Sequence, residues 1–148
     1  MPEELRFSSA EVNLVVHATE DSGKVLAAVE KALALPATGF SSEPFEGHFG
    51  NKIVSLKATV ASSREAANLA ARILSLLNQA DRQHLSDRIY EYSDERGNLY
   101  LRLDKQRLCQ GKATLAEADS VRFKFKPVRR YKPSGNIDTY RGLLSSTE

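Results

Sequence analysis

The sequence predicts an α+β fold of two layers, a mostly antiparallel β-sheet with helices packed on one face, followed by a basic C-terminal extension. Three observations predict it. Separate segments alternate apolar and polar residues with the period of two that a half-buried strand requires. Others repeat apolar residues at helical spacing. The two kinds follow one another as β-α-β-α-α-β-(α)-β, the order of an α+β domain. The reading places one domain over residues 1–127 and the extension over 128–148.

Glu11 to Ala18 is the first strand, with Val12, Leu14 and Val16 on one face and Val15 on the other, so partial cover on both sides is expected. Thr19-Glu20-Asp21-Ser22 supplies N-cap residues for a helix over 22–35. Its Val25, Leu26, Val29, Ala32 and Leu33 form one stripe, and Pro36 stops it. Residues 36–52 hold Pro36, Pro44 and three glycines and read as a turn-rich link. Ile53 to Ala61 is the next strand, with Val54, Leu56, Ala58 and Val60 inward and Ser55, Lys57 and Thr59 outward.

Ser62-Ser63-Arg64-Glu65 fits a capping box, in which hydroxyl and carboxylate satisfy free amides at a helix start. The helix it opens buries Ala66, Leu69, Ala70, Ile73, Leu74 and Leu77. Asp81 is expected to begin a third helix running to Tyr92, with Leu85 and Ile89 inside. Asp94 to Asn98 is a turn by composition. Leu99, Leu101 and Leu103 then alternate with Tyr100, Arg102 and Asp104 in a half-buried strand, and Asp104 to Gln110 forms a short helix closed by Gly111. The last strand, Ser120 to Lys126, buries Val121, Phe123 and Phe125 and sets Arg122, Lys124 and Lys126 on the opposite face.

Composition narrows the function. One cysteine, Cys109, forms no intrachain disulfide and no cysteine metal cluster, which favours a reducing, cytoplasmic setting. The N-terminus lacks the basic start and apolar run of a signal peptide, and no apolar stretch approaches the ~20 residues of a membrane span. His17, His48 and His84 show no metal-ligand spacing, and no nucleophile has an identifiable base, so neither a cofactor nor catalysis is expected.

Charge points elsewhere. Of 21 Lys and Arg, seven lie in residues 122–148 with only two of the 19 acids, so that segment carries +5 in a chain whose total is +2. Such asymmetry marks the end that meets a polyanion. Arg122, Lys124 and Lys126 recur every second residue, ~7 Å apart, a spacing that suits an RNA backbone. Arg129, Arg130 and Lys132 continue the run, with Tyr131 to stack on an unpaired base. Arg102, Lys105, Arg107 and Lys112 add positives that join the same patch if the short helix packs beside the last strand. In the link, Gly47 and Gly50 permit close backbone approach, while His48, Asn51 and Lys52 can donate to phosphate or base edges.

Three segments together resemble a family of small archaeal proteins described as predicted RNA-binding or exosome-associated: His17-Ala18-Thr19-Glu20-Asp21 followed by Lys24-Val25-Leu26, then Glu46 to Ile53, then Gly97 to Gln106. The resemblance covers roughly Val12 to Lys126. It implies a fold like that of the large-subunit ribosomal protein that docks 5S ribosomal RNA, and RNA, structured or ribosomal, as the ligand. The extension after Pro127 departs from the family pattern. The expected protein is therefore a non-catalytic RNA-binding component of an exosome-like or ribosome-associated assembly, with exosome or ribosomal proteins as partners and a homodimer left open. The competing reading is a protein-interaction module whose basic tail docks on an acidic partner.

Overall fold

The computed structural model describes residues 7–35, 39–46 and 50–127. Its elements are β1 (Phe7–Val16), α1 (Ser22–Leu33), β2 (Phe40–Glu46), β3 (Lys52–Val60), α2 (Ser63–Leu76), α3 (Gln79–Asp87), a 3₁₀ turn (Ile89–Tyr92), β4 (Leu99–Asp104), α4 (Lys105–Cys109) and β5 (Ser120–Pro127). The five strands form one antiparallel sheet in the order β2-β3-β1-β5-β4. The fold is α+β, as expected.

Residues paired across an antiparallel ladder share a face, so the register sorts the sheet into two surfaces. Ala10, Val12 and Leu14 lie level with Phe125, Phe123 and Leu56, and Leu99, Leu101 and Leu103 with Phe125, Phe123 and Val121. All of these are buried, with the stripes of α1 (Val29, Ala32, Leu33) and α2 (Ala66, Leu69, Ala70, Ile73, Leu74) joining them in one core. Phe7 and Phe125 lie 5.1 Å apart between ring centroids and close the core at one end of the sheet. Ser62 caps α2, its Oγ accepting the Glu65 N–H at 3.3 Å, which is the hydroxyl half of the expected capping box.

Several boundaries differ from the sequence reading. β2 was expected as turn and is a seven-residue strand. Pro44 hid it: proline has no ladder N–H, but an edge strand tolerates one, and β2 is the edge. β1 starts earlier than expected, at Phe7, and its Val15 is 37% exposed, partly covered as expected. The helix expected to start at Asp81 starts at Gln79, because Asn78 is the cap and its side chain accepts the Asp81 N–H at 2.7 Å. That helix ends at Asp87, and the 3₁₀ turn carries Ile89 into the core.

The first helix leaves its axis two residues short of Leu35. A residue before proline is kept out of the helical region, and the chain turns at Ala34 with φ 57° while Leu35 N–H returns to Glu30 O at 3.0 Å. Alanine is strained in that left-handed conformation and glycine is not. Ala34→Gly is therefore expected to raise stability by about 1 kcal/mol, read as a melting temperature higher by about 2–4 °C.

Candidate nucleic-acid interface

The face opposite the core carries the cations. Ladder pairing aligns Lys57 with Asn13, Asn13 with Arg122 and Arg122 with Arg102, one row across four strands. At ~4.8 Å per strand the row spans roughly 14 Å. Arg102 and Arg122 sit directly opposite one another and are exposed, and neither forms an ion pair among the described residues. In the next row Lys124 lies between Glu11 and Tyr100, with its ammonium 5.7 Å from the Tyr100 ring centroid. Lys126 sits level with Ser9 and reaches the Glu11 carboxylate at 4.0 Å.

The outer edge of β4 is closed. Asp104 N–H donates to Thr114 O at 2.8 Å and Ala116 N–H to Arg102 O at 3.0 Å, so residues 114–116 run along the edge. The Asp81 carboxylate accepts the Leu115 N–H at 3.0 Å and joins that segment to α3. α3 and the 3₁₀ turn thereby raise a wall beside the open face, with Arg88 and Tyr92 on the same concave surface as Arg102 and Arg122.

Lys105 belongs to a different structure. It was expected on the cationic surface and is fully buried. Its Nζ donates to Glu20 at 2.7 Å, Asp119 at 2.9 Å and the Val15 carbonyl at 2.8 Å, using all three ammonium hydrogens. The Gln106 amide and the His17 N–H also donate to Glu20, at 3.1 and 3.0 Å. Burial works against each charge. Even so, hydrogen bonds and attraction to Glu20 and Asp119 hold the Lys105 ammonium above its ordinary pKa. Likewise, Lys105 with its companions holds both carboxyls below theirs. This cluster ties the end of β1 and the start of α1 to α4 and the start of β5, and leaves no proton free for a phosphate.

The other expected contacts are dispersed. Arg107 and Lys112 are exposed, on α4 and the turn after it, and α4 packs against α1 rather than beside β5. Asn51 and Lys52 are exposed at the start of β3, where Lys52 pairs with Glu46 on the strand side that carries Val54 and Leu56. His48, Arg129, Arg130, Tyr131 and Lys132 lie outside the described residues. Cys109 is half-buried, and burial raises its thiol pKa, the opposite of an activated nucleophile.

Comparison with known proteins decides the family. A family model described as RNA binding matches residues 9–127. An RNA-binding protein of Pyrococcus abyssi is 31% identical over 125 residues, covering 82% of this chain and 81% of that protein. The chain belongs to this RNA-binding family. A solved DUF54 protein of Methanothermobacter thermautotrophicus is similar with a TM-score of 0.76 and 26% identity, over 94% of this chain and 98% of that one. A further DUF54 structure, from Sulfolobus solfataricus, gives a TM-score of 0.74 at 22% identity, over 93% and 98% of the two chains, and shares the fold.

In this RNA-binding family member the segments that carry the sequence resemblance split into two jobs. His17, Glu20, Lys105 and Gln106, from the first and third segments, meet in the cluster around the buried Lys105 and hold the fold. Tyr100 and Arg102, also from the third, stand on the open face. Lys57, Arg88 and Tyr92 were not singled out from the sequence as contacts. Lys57 alone had a signal, as an outward residue of an alternating strand; the other two depend on how α3 and its 3₁₀ turn are placed.

Proposed function

We propose that this protein is a non-catalytic RNA-binding factor that lays an RNA strand across the sheet face that no described helix covers, as a component or accessory of an exosome-like RNA-processing or ribosome-associated assembly. The observation that carries the RNA reading is Arg102 directly opposite Arg122. Like charges opposed across a ladder cost roughly 0.2–1 kcal/mol. A phosphate set between the two guanidiniums turns that repulsion into two charge-assisted hydrogen bonds. Lys57 and Lys124 extend the field on either side, and membership of the RNA-binding family supports the choice of polyanion. The assembly rests on the sequence resemblance alone. The cations of the extension, Arg129, Arg130 and Lys132 with Tyr131, are proposed as a second RNA handle.

Fluorescence anisotropy across a salt series tests the face. Arg122→Ala and Lys57→Ala are each expected to lower the slope of log affinity against log salt by about 0.7, one single-strand phosphate. Unchanged slopes in both would remove the open face from the RNA path. Tight binding to an acidic protein that RNA does not displace would favour the interaction-module reading instead.

A further inference from the structure

Arg102 and Arg122 line the sheet side of a concave surface of about 1200 Å³, bounded by β1, β4, β5, α3 and the 3₁₀ turn. We propose that it receives one unpaired nucleobase of the bound RNA, stacked on Tyr100; this rests on the RNA reading above and specifies single-stranded rather than duplex RNA.

The first support is the way Tyr100 is held. Its hydroxyl donates to Asp94 at 2.8 Å. The same carboxylate accepts the Asn98 side-chain amide and the backbone N–H groups of Arg96 and Asn98, each at 2.9 Å. Four donors fill a carboxylate. Burial opposes the charge, but these bonds keep the Asp94 carboxyl below its ordinary pKa, so the acceptor is permanent at neutral pH. The Tyr100 phenol is raised by its own burial and then by Asp94, so it stays a donor. The ring is thus fixed before any ligand arrives, yet the residue remains 38% exposed. An aromatic surface ordered in advance loses little entropy when a base settles on it.

The second support is the mixed charge of the walls. On the wall side Arg88 is accompanied by Asp81, Glu91 and Glu117, while Arg102, Arg122 and Lys124 line the sheet side with Glu11. The wall carboxylates repel a phosphate placed beside them but can accept from the amino and ring N–H groups of a base. The phosphates are left to Arg102 and Arg122 on the sheet side of the same surface. A duplex keeps its bases stacked within itself and presents only backbone and grooves.

Short single strands with 2-aminopurine at successive positions, and the blunt duplex of the same sequence, test this on the full chain. Quenching at bound single strands is expected. Tyr100→Leu is expected to weaken single-strand binding about 5–100-fold, with duplex binding unchanged within twofold. Tyr100→Phe, which keeps the ring and loses the tether, should lose less. If Arg122→Ala weakens binding and Tyr100→Leu does not, the base platform is wrong and the RNA face stands. If the wild-type chain binds no RNA, both fail. Equal losses for strand and duplex would make the ring a backbone contact and overturn the base assignment. Should Tyr100→Leu fail to fold, absence of quenching at every position with the wild-type chain overturns it.

Discussion

Arg122→Glu is expected to bind RNA roughly 10–100-fold more weakly at moderate salt while melting no earlier than the parent chain. The affinity loss has three sources. One cation disappears, an anion replaces it in the middle of the row, and the new carboxylate occupies Arg102 directly across the ladder. Stability moves the other way, because an opposed like-charge pair becomes an opposite-charge pair worth about 0.2–1 kcal/mol. Anisotropy at fixed salt and thermal denaturation on the same preparation give both numbers. Retained affinity would show that RNA does not cross this row. A clear drop in melting temperature would show that the two arginines were not opposed without relief.

Lys105→Met has the reverse profile: a large loss of stability and unchanged RNA affinity at temperatures where the variant is folded. The substitution leaves Glu20 and Asp119 without their shared cation and the Val15 carbonyl without its donor. Breaking a buried ion cluster by removing one member costs about 3–5 kcal/mol. Asp119 keeps 43% of its side chain exposed, so we expect about 2–4 kcal/mol here and a melting temperature lower by roughly 5–15 °C. The pH profile carries a signature. Glu20 and Asp119 have lowered pKa values, so their contribution is complete above the ordinary carboxylate range and is lost as pH falls through the lowered values. Lys105 has a raised one, so its share is complete below the ordinary lysine value and is lost only as pH rises through the raised value. The wild-type chain should therefore lose stability in acid more steeply than Lys105→Met. Parallel acid limbs, or an RNA affinity that falls with the substitution, would count against a purely structural lysine.

Much of the fold was legible because burial writes itself into the sequence at fixed periods. Phe123 and Phe125 announced the core face of β5, and Ala66, Leu69 and Ile73 that of α2. β2 was not legible, because an edge strand with a proline and few apolar residues looks like a turn until its partner is known. The site divided along the same line. Arg122 and Lys124 could be placed on one face by counting in twos, but their alignment with Arg102 and Lys57 depends on which strands become neighbours. Lys105 shows the limit most plainly. One position after Asp104, it differs from Arg102 and Arg107 only in tertiary surroundings, and those come from Glu20 and Asp119, far away in sequence.

The pairing of β1 with β5, Ser9 level with Lys126, also sets a timetable. Of the described strands β1 is made first and β5 last, so on a ribosome the middle of the sheet stays open until residues 120–127 have been made. Contacts of such sequence separation form late and slow folding. Until β5 emerges, the apolar side of β1 has β3 and α2 for company but no strand along its other edge. Stalled or truncated chains that end before Ser120 should consequently accumulate as sticky, protease-sensitive intermediates rather than as smaller folded domains.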